Sequence, residues 1–536
     1  MANTETELKL SCEPKEMQAL LSHPLLRSPS GRKPVARRQI SRYFDTETDS
    51  LAKVGLSLRV RTIGRKHIQT VKTKGIGKAG FSARSEWEAP TQEDTPNPEL
   101  IAEWGLAADF TRATGGHPLL LRFETDVHRA TRLITRPEGK VEIAVDHGVV
   151  RAGDKEAPIA EVELELKYGA ASLLHDLALE LLETLSLGLG GPSKAARGYQ
   201  LLEHKLESPT PTKARDLPLT AEMSSEIAFQ TIGQSCLEHL VANSPIIIEG
   251  SDPEGVHQAR VAIRRLRSAL SAFRSMVAGA DTDHIQGELR WLMGVLGPAR
   301  DADVFRAEVL PPLAKVLALE PGWESLLAHF DSERITLARD ARKALESRRF
   351  TALVIATLRW LDDGDWRRDQ ERAAARAALL GDTARSVLKR RMTKVLKRGA
   401  DFDNQPAEIR HALRVTVKKL RYTLDFLAPL YPRGEAKTAL KAMKRVQEIL
   451  GKSNDITVGR AKLRHAALDA GAEAPLLAFI AGWAAGTIDG DSKAMEKEAR
   501  EAWATLRALP QIWKLGDRKP VNVSKTGKEK KGKSGK

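Results

Sequence analysis

The sequence predicts a multidomain α+β protein, with an antiparallel β domain at the amino terminus and an all-α domain after it. Three observations support this fold class. Short runs that alternate charged and apolar residues fill residues 1–205, and this period of two is typical of strands. Between residues 221 and 514, apolar residues recur three or four positions apart, as in amphipathic helices. The helical part also contains an internal repeat.

The domain boundaries follow from changes in composition along the 536 residues, a length that suggests about three units. Residues 206–220 are rich in proline and polar residues, so we predict a linker between a β domain of residues 1–205 and a helical domain of residues 221–514. Residues 515–536 are rich in Lys, Gly and Ser and cannot bury an apolar core, which predicts a basic disordered tail.

The composition excludes several classes of protein. Two cysteines, Cys12 and Cys236, exclude a disulfide scaffold and a Cys-rich metal site, and they fit a reducing cytoplasm. No run approaches about 18 consecutive apolar residues, so no membrane span or membrane partner is predicted. The net charge of +15 predicts an anionic partner. The chain lacks a P-loop, a GxSxG elbow and an HExxH zinc motif.

The β domain carries charges on one face of many predicted strands. These strands include TELKL, LSLRVRT, IQTVKTK, SEWEA, VEIAVDHG and IAEVELELK, and helices are expected near residues 13–22 and 170–187. Any one strand is compatible with a sheet that has a solvated face. Together, the faces are dominated by Glu, Arg and Lys in blocks of one sign. If the sheet closes into a tunnel, acidic strands suit Mg²⁺ and basic strands suit phosphate oxygens.

The repeat in the helical part places two basic sets at an offset of 154 positions: His257, Arg260, Arg264 and Arg267, and then His411, Arg414, Lys418 and Arg421. Their shared spacing of three, four and three positions puts each set on one stripe of a helix. One such stripe alone is typical of a solvated face, but the duplication favours a groove for a long polyanion. The histidines lack the neighbouring ligands that a zinc site requires.

Specific motifs then connect both parts to known families. TETELKL, RYFDTETDSLAKVGLSLRVR, AEVELELK and GPSKAARGY in the β domain resemble the CYTH family of triphosphate tunnel metalloenzymes. VHQARVAIRRLRSAL, RDADV, RHALRVTVKKLRYTLDF and LGKSNDITV in the helical part are similar to the CHAD domain. The order of the two domains resembles that of bacterial inorganic triphosphatases.

The CYTH resemblance implies an eight-stranded antiparallel barrel with flanking helices, which hydrolyses triphosphate to diphosphate and phosphate with Mg²⁺ or Mn²⁺. It implies a catalytic set of Glu5, Glu7, Lys9, Asp146, Glu163 and Glu165. It implies a phosphate-binding set of Lys9, Arg59, Arg61, Lys72, Arg84, Arg129 and Lys194. It implies a metal-binding set of Glu5, Glu7, Glu86, Asp146, Glu163 and Glu165.

Three assignments stay open at this point. Glu161, Glu163 and Glu165 share one strand face, and the sequence does not tell which two bind metal. Glu88 is an alternative to Glu86. Arg122 and Arg132 are alternatives to Arg129.

The CHAD resemblance implies two duplicated four-helix bundles whose basic stripes bind inorganic polyphosphate. The predicted partners are therefore inorganic triphosphate and polyphosphate, in the cytoplasm. Alternative functions are a thiamine triphosphatase or adenylate cyclase of the same tunnel family, and a polyphosphate-binding protein with weak or no catalysis. A nucleotide substrate predicts a stacking aromatic at the tunnel mouth, and aromatic residues make up only 5% of the chain. Mixed acidic and basic stripes with few aromatics argue against a nucleic-acid partner.

Overall fold

The structure is a computed structural model that describes residues 3–27, 34–78, 81–202, 209–488 and 492–511. It divides into two compact units, one within residues 1–215, 229–376 and 459–488 and the other within residues 216–228, 377–458 and 489–536. The predicted tail at 515–536 and the first residues of the predicted linker, 206–208, lie outside the described residues.

The first unit begins with an antiparallel sheet. Its strands are β1 (Asn3–Ser11), β2 (Arg37–Asp45), β3 (Leu56–Ile63), β4 (Lys66–Thr73), β5 (Ile76–Lys78), β6 (Phe81–Thr91), β7 (Leu120–Arg136), β8 (Gly139–Ala152), β9 (Lys155–Gly169) and β10 (Gly188–Leu189). Eight of them close into a barrel in the order β1, β9, β8, β7, β2, β3, β4, β6 and back to β1. The short strands β5 and β10 pair with β6 and β1 at the margin. The predicted eight-stranded antiparallel barrel is confirmed.

The period of two located most of these strands. The predicted segments fall in β1, β3, β4, β6, β8 and β9. Neither β2 nor β7 was predicted as a strand. In β7 the buried positions do alternate, but Thr125 lies between Phe123 and Val127, so a polar residue interrupts the apolar series. A period that depends on hydrophobicity is weak where a buried position is polar.

Most helices of the barrel domain cover its outer surface, and the last one packs against its inner face. The helices are α1 (Met17–Leu21), α2 (Ser50–Lys53), α3 (Pro98–Glu103), α4 (Ala107–Thr114), α5 (Ser172–Leu182) and α6 (Lys194–Leu202). The apolar sides of the strands pack outward, so that Leu8 shares a core with Leu177 of α5 and Val60 shares one with Phe110 of α4, whereas α6 packs on the inward-facing Tyr43 and Phe123. Since side chains alternate along a strand, the charged residues of the same strands face the inside of the barrel.

The helical half shows the predicted duplication. Its helices are α7 (Ser225–Glu249), α8 (Glu254–Ala272), α9 (Arg274–Val277), α10 (Ala280–Val304), α11 (Leu310–Leu317), α12 (Trp323–Glu346), α13 (Arg348–Asp363), α14 (Ala373–Ala377), α15 (Leu380–Arg398), α16 (Ala407–Leu427), α17 (Arg433–Ala470), α18 (Pro475–Thr487) and α19 (Ser492–Arg507). Helices α7, α8 and α10 recur as α15, α16 and α17, and their first residues are 153 to 155 positions apart. None of the described helices has the length and apolar composition required to cross a bilayer.

The barrel and the first helical segments share one core within the first unit. Ile355 of α13 is fully buried among the apolar residues that α5 and the strands contribute. Arg359 pairs with Asp176 of α5 at 2.9 Å, and Arg348 donates to the carbonyl of Glu183 at 2.7 Å. The two domains that the sequence distinguishes are therefore joined by both apolar and polar contacts.

Candidate functional site

The barrel contains a cavity of about 880 Å³ whose walls are charged. We call the side formed by β1, β9 and β6 the acidic wall, and it comprises Glu5, Glu7, Glu86, Glu163 and Glu165. We call the side formed by β3 and β4 the basic wall, and it comprises Arg59, Arg61 and Lys72. Lys9, Arg84, Arg129 and Lys194 also line the cavity. The structure thus brings together all but one of the tunnel residues named from the sequence, and that one is Asp146.

Strand register brings these side chains together from distant parts of the sequence. Glu7 lies opposite Glu165, and Lys9 lies opposite Glu163, where β1 pairs with β9. Glu5 lies opposite Arg84 on the other side of β1, where β6 closes the barrel. Because β1 forms both the first and the last pairing of the ring, its Glu-x-Glu-x-Lys run reaches cations on one neighbour and carboxylates on the other.

Asp146 lies behind the cavity wall and is fully buried. Arg129 donates to both of its oxygens, at 2.7 and 2.5 Å, and the Lys194 Nζ lies 2.6 Å from it. Burial opposes ionisation of this carboxyl, but Lys194 and Arg129 outweigh burial and lower the pKa of Asp146. Burial also opposes the charge on Lys194, and Asp146 with its neighbouring glutamates outweighs it and raises the pKa of Lys194. Asp146 is therefore held as an anion by two buried cations.

The same cations extend this inner network to two glutamates of β9. Lys194 contacts Glu163 at 2.8 Å and also contacts Glu161, while Lys9 lies 3.3 Å from each of them. Arg197 donates to Glu161 at 2.5 Å. Glu161 is fully buried, whereas Glu163 reaches the cavity. The carboxylates of this network have their charge balanced by protein cations.

A second group surrounds Glu5. The Lys72 Nζ lies 2.7 Å from both oxygens of Glu5, and Arg84 Nε lies 2.7 Å from one of them. Burial would raise the pKa of Glu5, but Lys72 and Arg84 lower it to about 2. Arg84 also reaches Glu7 at 3.0 Å, and Lys72 reaches Glu86 at 3.0 Å. Glu5 is thus an anion at any ordinary pH.

Two further carboxylates of the acidic wall, Glu7 and Glu165, have raised pKa values although each has a cation beside it. Burial raises the pKa of Glu7, and the nearby Glu163 raises it further, against the opposing effects of Arg84 and Lys9. Burial also raises the pKa of Glu165, although Lys167 lies only 2.6 Å away. Carboxylates that face a polar cavity supply the oxygen donors that Mg²⁺ and Mn²⁺ prefer. The residues present therefore fit a divalent cation at this wall.

The basic wall shows shifts in the opposite direction. Burial lowers the pKa of Arg61 to about 10, and Arg59 and Arg129 contribute to the shift by repulsion. Burial lowers the pKa of Lys72 as well, and repulsion from Arg59 and Arg84 adds to burial. Lys72 is paired with Glu5 and Glu86, yet burial and repulsion oppose the charge on both cations, and phosphate oxygens are ligands that would offset this cost.

The structure also places the residues that the sequence left as alternatives. Of the three glutamates of β9, Glu163 and Glu165 reach the cavity and Glu161 lies behind it. Glu86 and Glu88 both line the cavity, and Glu88 accepts a hydrogen bond from Thr70 at 3.2 Å. Of the two alternatives to Arg129, Arg122 pairs with Asp49 at 2.8 Å, and Arg132 is not among the residues that line the cavity, whereas Arg129 is.

Sequence reasoning missed several residues of the site. Lys167 and Glu142 line the cavity beyond Glu165; alternation placed both on the charged faces of their strands, but no role was assigned to them. Arg197 follows Lys194 by one helical turn, and this spacing could have identified it as a second cation on the same face of α6. Tyr43, whose hydroxyl accepts from Arg59 at 3.5 Å, gave no signal because it lies on the unrecognised strand β2.

The first basic stripe lies on α8. His257, Arg264 and Arg267 are half-buried and Arg260 is buried, while the opposite face, including Ile263 and Leu266, is in the core. Burial lowers the pKa of Arg267, and Arg290 and Arg264 lower it further. Burial lowers the pKa of His257 too, with Arg300 as the next cause. Cations of α8 and α10 therefore repel one another along this stripe.

The second stripe lies on α16. His411 is exposed, and Arg414, Lys418 and Arg421 are half-buried. Arg421 donates to Gln447 at 2.9 Å. The repeat also accounts for two glycines, because an arginine of the basic stripe packs against each of them. A Cβ on Gly297 would lie 2.8 Å from the guanidinium of Arg260, and one on Gly451 would lie 3.2 Å from that of Arg414.

Comparisons with known proteins agree with this arrangement. Residues 3–199 match the family model of the CYTH domain, and residues 231–464 match that of the CHAD domain. An inorganic triphosphatase of Haemophilus influenzae is 29% identical over 213 residues, which is 38% of this chain and 59% of that protein. The chain thus spans about three fifths of that relative.

Two other relatives extend the comparison. An uncharacterized protein of Mycobacterium tuberculosis is 27% identical over 454 residues, 80% of this chain and 82% of that protein. The crystal structure of the CHAD domain from the plant Ricinus communis is 32% identical, covers 56% of this chain and 98% of that domain, and has a TM-score of 0.48. This chain belongs to the proteins in which a CYTH domain is followed by a CHAD domain.

Proposed function

We propose that this chain is a metal-dependent inorganic triphosphatase, which hydrolyses triphosphate to diphosphate and phosphate. One observation carries the proposal: the barrel cavity is lined by carboxylates of β1, β6 and β9 and by cations of β3 and β4, and burial opposes the charge on members of both sets. Mg²⁺ or Mn²⁺ suits the carboxylates and a triphosphate suits the cations. The inorganic triphosphatase of Haemophilus influenzae among the relatives supports the same substrate.

In this proposal the two walls have different roles. Arg59, Arg61 and Lys72 hold the non-bridging phosphate oxygens by charge-assisted hydrogen bonds. Glu7, with its neighbours on the acidic wall, would hold the divalent cation, which when bound would supply positive charge to the phosphates. The inner network of Asp146 fixes Arg129 and Lys194, so the inner end of the cavity is pre-organised before substrate binds.

The reaction replaces one bond to phosphorus by another. The oxygen of water bonds to a terminal phosphorus, the bond from that phosphorus to the bridging oxygen breaks, and diphosphate leaves with the bridging oxygen. A proton leaves the water at the same time. Glu165 reaches the cavity and its pKa is raised by burial, so it is the group we assign to accept that proton. Positioning and charge neutralisation, which supply most catalysis of phosphoryl transfer, come from the cations of the cavity.

The proposal is tested by phosphate release from a panel of substrates with Mg²⁺ and with Mn²⁺. The panel is inorganic triphosphate, diphosphate, long-chain polyphosphate, ATP and thiamine triphosphate. Fast release from inorganic triphosphate alone is the expected result. A preference for thiamine triphosphate or ATP would replace the proposed activity by another activity of the tunnel family. If no substrate releases phosphate, a polyphosphate-binding protein without catalysis is favoured.

We also propose that the stripes on α8 and α16 bind inorganic polyphosphate. The mutual repulsion of the cations on α8 and α10 supports this role, because a long polyanion would neutralise them together. A cytoplasmic location is part of the proposal, since Cys12 and Cys236 are buried free thiols, as is typical of proteins in reducing compartments.

Reversing one charge in each stripe is expected to weaken polyphosphate binding at least about tenfold, because the interaction is electrostatic and summed over many contacts. The variant is Arg264→Glu with Lys418→Glu, and the measurement is a binding titration at fixed ionic strength. Lys315→Glu with Lys437→Glu, two exposed lysines outside the stripes, is the matched control. If the stripe variant and the control bind polyphosphate with equal affinity, the stripes are solvated faces that do not bind it. Duplex DNA as a competitor at the same salt measures selectivity for polyphosphate.

A further inference from the structure

Helix α18 has one side that is apolar and open to solvent. Leu476, Phe479 and Trp483 lie at positions i, i+3 and i+7, which places them on one side of the helix, and we call them the apolar face of α18. They are 55%, 56% and 39% exposed, whereas Ile480 on the other side is fully buried. Residues 475–487 contain no charged residue, although charged residues make up 29% of the chain. The solvent-exposed side of α18 therefore lacks the charges that are common elsewhere in this sequence.

The duplication of the helical half provides an internal comparison for this face. At the offset of 154 positions, Pro475 of α18 corresponds to Pro321, just before α12. The buried positions match, because Ile480 corresponds to Leu326 and both are fully buried. The exposed positions, by contrast, are aromatic in α18 and polar in α12, with Phe479 in place of Ser325 and Trp483 in place of His329. The helical fold alone does not account for the two exposed aromatic residues of α18.

The apolar surface continues onto the turn that precedes α12. A Cβ on Gly322 would lie 2.5 Å from the carbonyl oxygen of Leu476, so this turn packs directly on α18. Leu319, in the same turn, is 99% exposed. We call Leu319 and the apolar face together the α18 patch. At roughly 200 Å² for each large side chain, the patch exposes on the order of 500 Å². A stable dimer buries about 800 Å² on each partner around an apolar centre, and the patch has the size of such a centre.

The shape of the patch suits a second copy of itself. Gly486 is exposed, and a Cβ built on it would meet no neighbouring atom of the described residues within 4 Å, so the backbone there is open to close approach. If two α18 helices pack antiparallel about a two-fold axis at position 481, Phe479 of each copy lies opposite Trp483 of the other. Leu476 then lies opposite Gly486, so that a bulky side chain meets a hollow. The rings of Phe479 and Trp483 already contact each other within one copy, with centroids 5.7 Å apart, and this contact orients them before association.

We propose that the α18 patch is the interface of a homodimer, in which two copies of this chain pack their α18 helices antiparallel. A contact of this kind uses the same surface on both copies and closes on itself, so assembly stops at two. The patch does not include any residue that lines the barrel cavity, and the proposal is independent of the triphosphatase site. A lipid surface matches the patch less well, because helices that lie in a membrane interface carry Lys or Arg beside their apolar side, and residues 475–487 carry none.

The test is the molar mass of the full chain in solution, measured by sedimentation equilibrium without polyphosphate at about 1 to 100 µM. The wild-type chain is expected to approach twice its mass of 58.9 kDa as concentration rises. The variant Phe479→Ser with Trp483→His gives α18 the residues that α12 has at the equivalent exposed positions. Its dimer Kd should rise at least about a hundredfold, because each of the two copies loses two aromatic anchors.

A second variant keeps the result independent of any loss of folding. Gly486→Leu fills the hollow that receives Leu476, and leucine favours a helix more than glycine does, so the monomer should melt no lower than the wild type. Its dimer should nevertheless be weakened. The matched control is Leu133→Ser with Tyr168→His, which removes two exposed apolar side chains from the barrel and should dimerise as the wild type does.

Each outcome decides the proposal. A dimer that both α18 variants lose and the control keeps establishes the interface. A wild-type chain that stays monomeric over the whole range overturns it, as does a dimer that neither α18 variant weakens. A dimer that dissociates in about 0.5 M NaCl is held by charges and overturns the apolar contact. Flotation of the wild-type chain with vesicles of phosphatidylcholine and phosphatidylglycerol, lost in both α18 variants, assigns the patch to lipid instead.

Discussion

Replacing Glu7 by glutamine is expected to lower the rate of triphosphate hydrolysis at least about a hundredfold. Glutamine keeps the shape of the side chain but removes the charge that faces the divalent cation. Loss of a group that only supports a metal ligand commonly lowers affinity or activity about 10- to 100-fold, so loss of a ligand charge should do no less. The measurement is phosphate release over a range of Mg²⁺ and Mn²⁺ concentrations, where the variant should also require more metal.

The same variant is expected to keep or gain stability, which separates a lost site from a lost fold. Burial and Glu163 raise the pKa of Glu7 in the folded chain. A carboxyl with a raised pKa favours the fold below its unfolded pKa, and this contribution is lost as pH rises through the folded value. At neutral pH the charge on Glu7 therefore opposes folding, and glutamine removes that repulsion.

A glutamate on the outside of the barrel domain supplies the control. Glu103→Gln changes an exposed residue of α3 that does not line the cavity, and it should leave both turnover and melting temperature unchanged. If Glu7→Gln turns over triphosphate at the wild-type rate, Glu7 does not hold the divalent cation. A loss of turnover accompanied by a lower melting temperature would assign the effect to misfolding instead.

The inward charges of the barrel could be predicted because alternation is a local property. Glu5 and Glu7 on β1, Arg59 and Arg61 on β3, and Lys72 on β4 each follow from a period of two that a few residues display. The repeat of the helical half was equally visible, since it needs only two positions and one offset. Predictions of this kind hold wherever the apolar face of an element is packed and the other face is charged.

The depth of each charge could not be predicted, because it depends on contacts between distant segments. Alternation put Asp146 inside the barrel, but its position behind the wall depends on how α6 brings Lys194 to it. That docking requires Gly198, because a Cβ there would come within 2.1 Å of the ring of Phe123. Nothing in the local sequence of α6 indicates that its glycine lies against an aromatic ring on β7.

Replacing Asp146 by asparagine is expected to destabilise the folded chain by about 3 kcal/mol at pH 7. Removing one partner of a buried charge pair typically costs about 3–5 kcal/mol, because the other charge stays buried without compensation. Asp146 is fully buried between Arg129 and Lys194. The glutamates of β9 still contact both cations, so the lower end of that range applies. Unfolding by urea, followed by circular dichroism, measures the loss.

The pH dependence of this loss has a definite sign. Lys194 and Arg129 lower the pKa of Asp146 against the effect of burial, so its charge stabilises the fold above the unfolded pKa of about 3.9. The contribution disappears as pH falls through the lowered folded value. The difference in unfolding free energy between wild type and variant should thus be largest near pH 7 and should shrink below about pH 4.

Asp126→Asn is the matched control, because it makes the same change at an ion pair that is open to solvent. Asp126 pairs with Arg38 at 2.7 Å and with Arg151 at 3.4 Å, and the side chains of the two arginines are 60% and 42% exposed. Exposed ion pairs contribute about 0–1 kcal/mol, so this variant should unfold near the wild-type midpoint.

The pair of variants also decides between two roles for Asp146. A metal ligand predicts unchanged stability with a greater metal requirement, whereas a positioning carboxylate predicts the loss of stability and an unaltered metal dependence of the remaining turnover. Since two protein cations already occupy the oxygens of Asp146, we expect the second result.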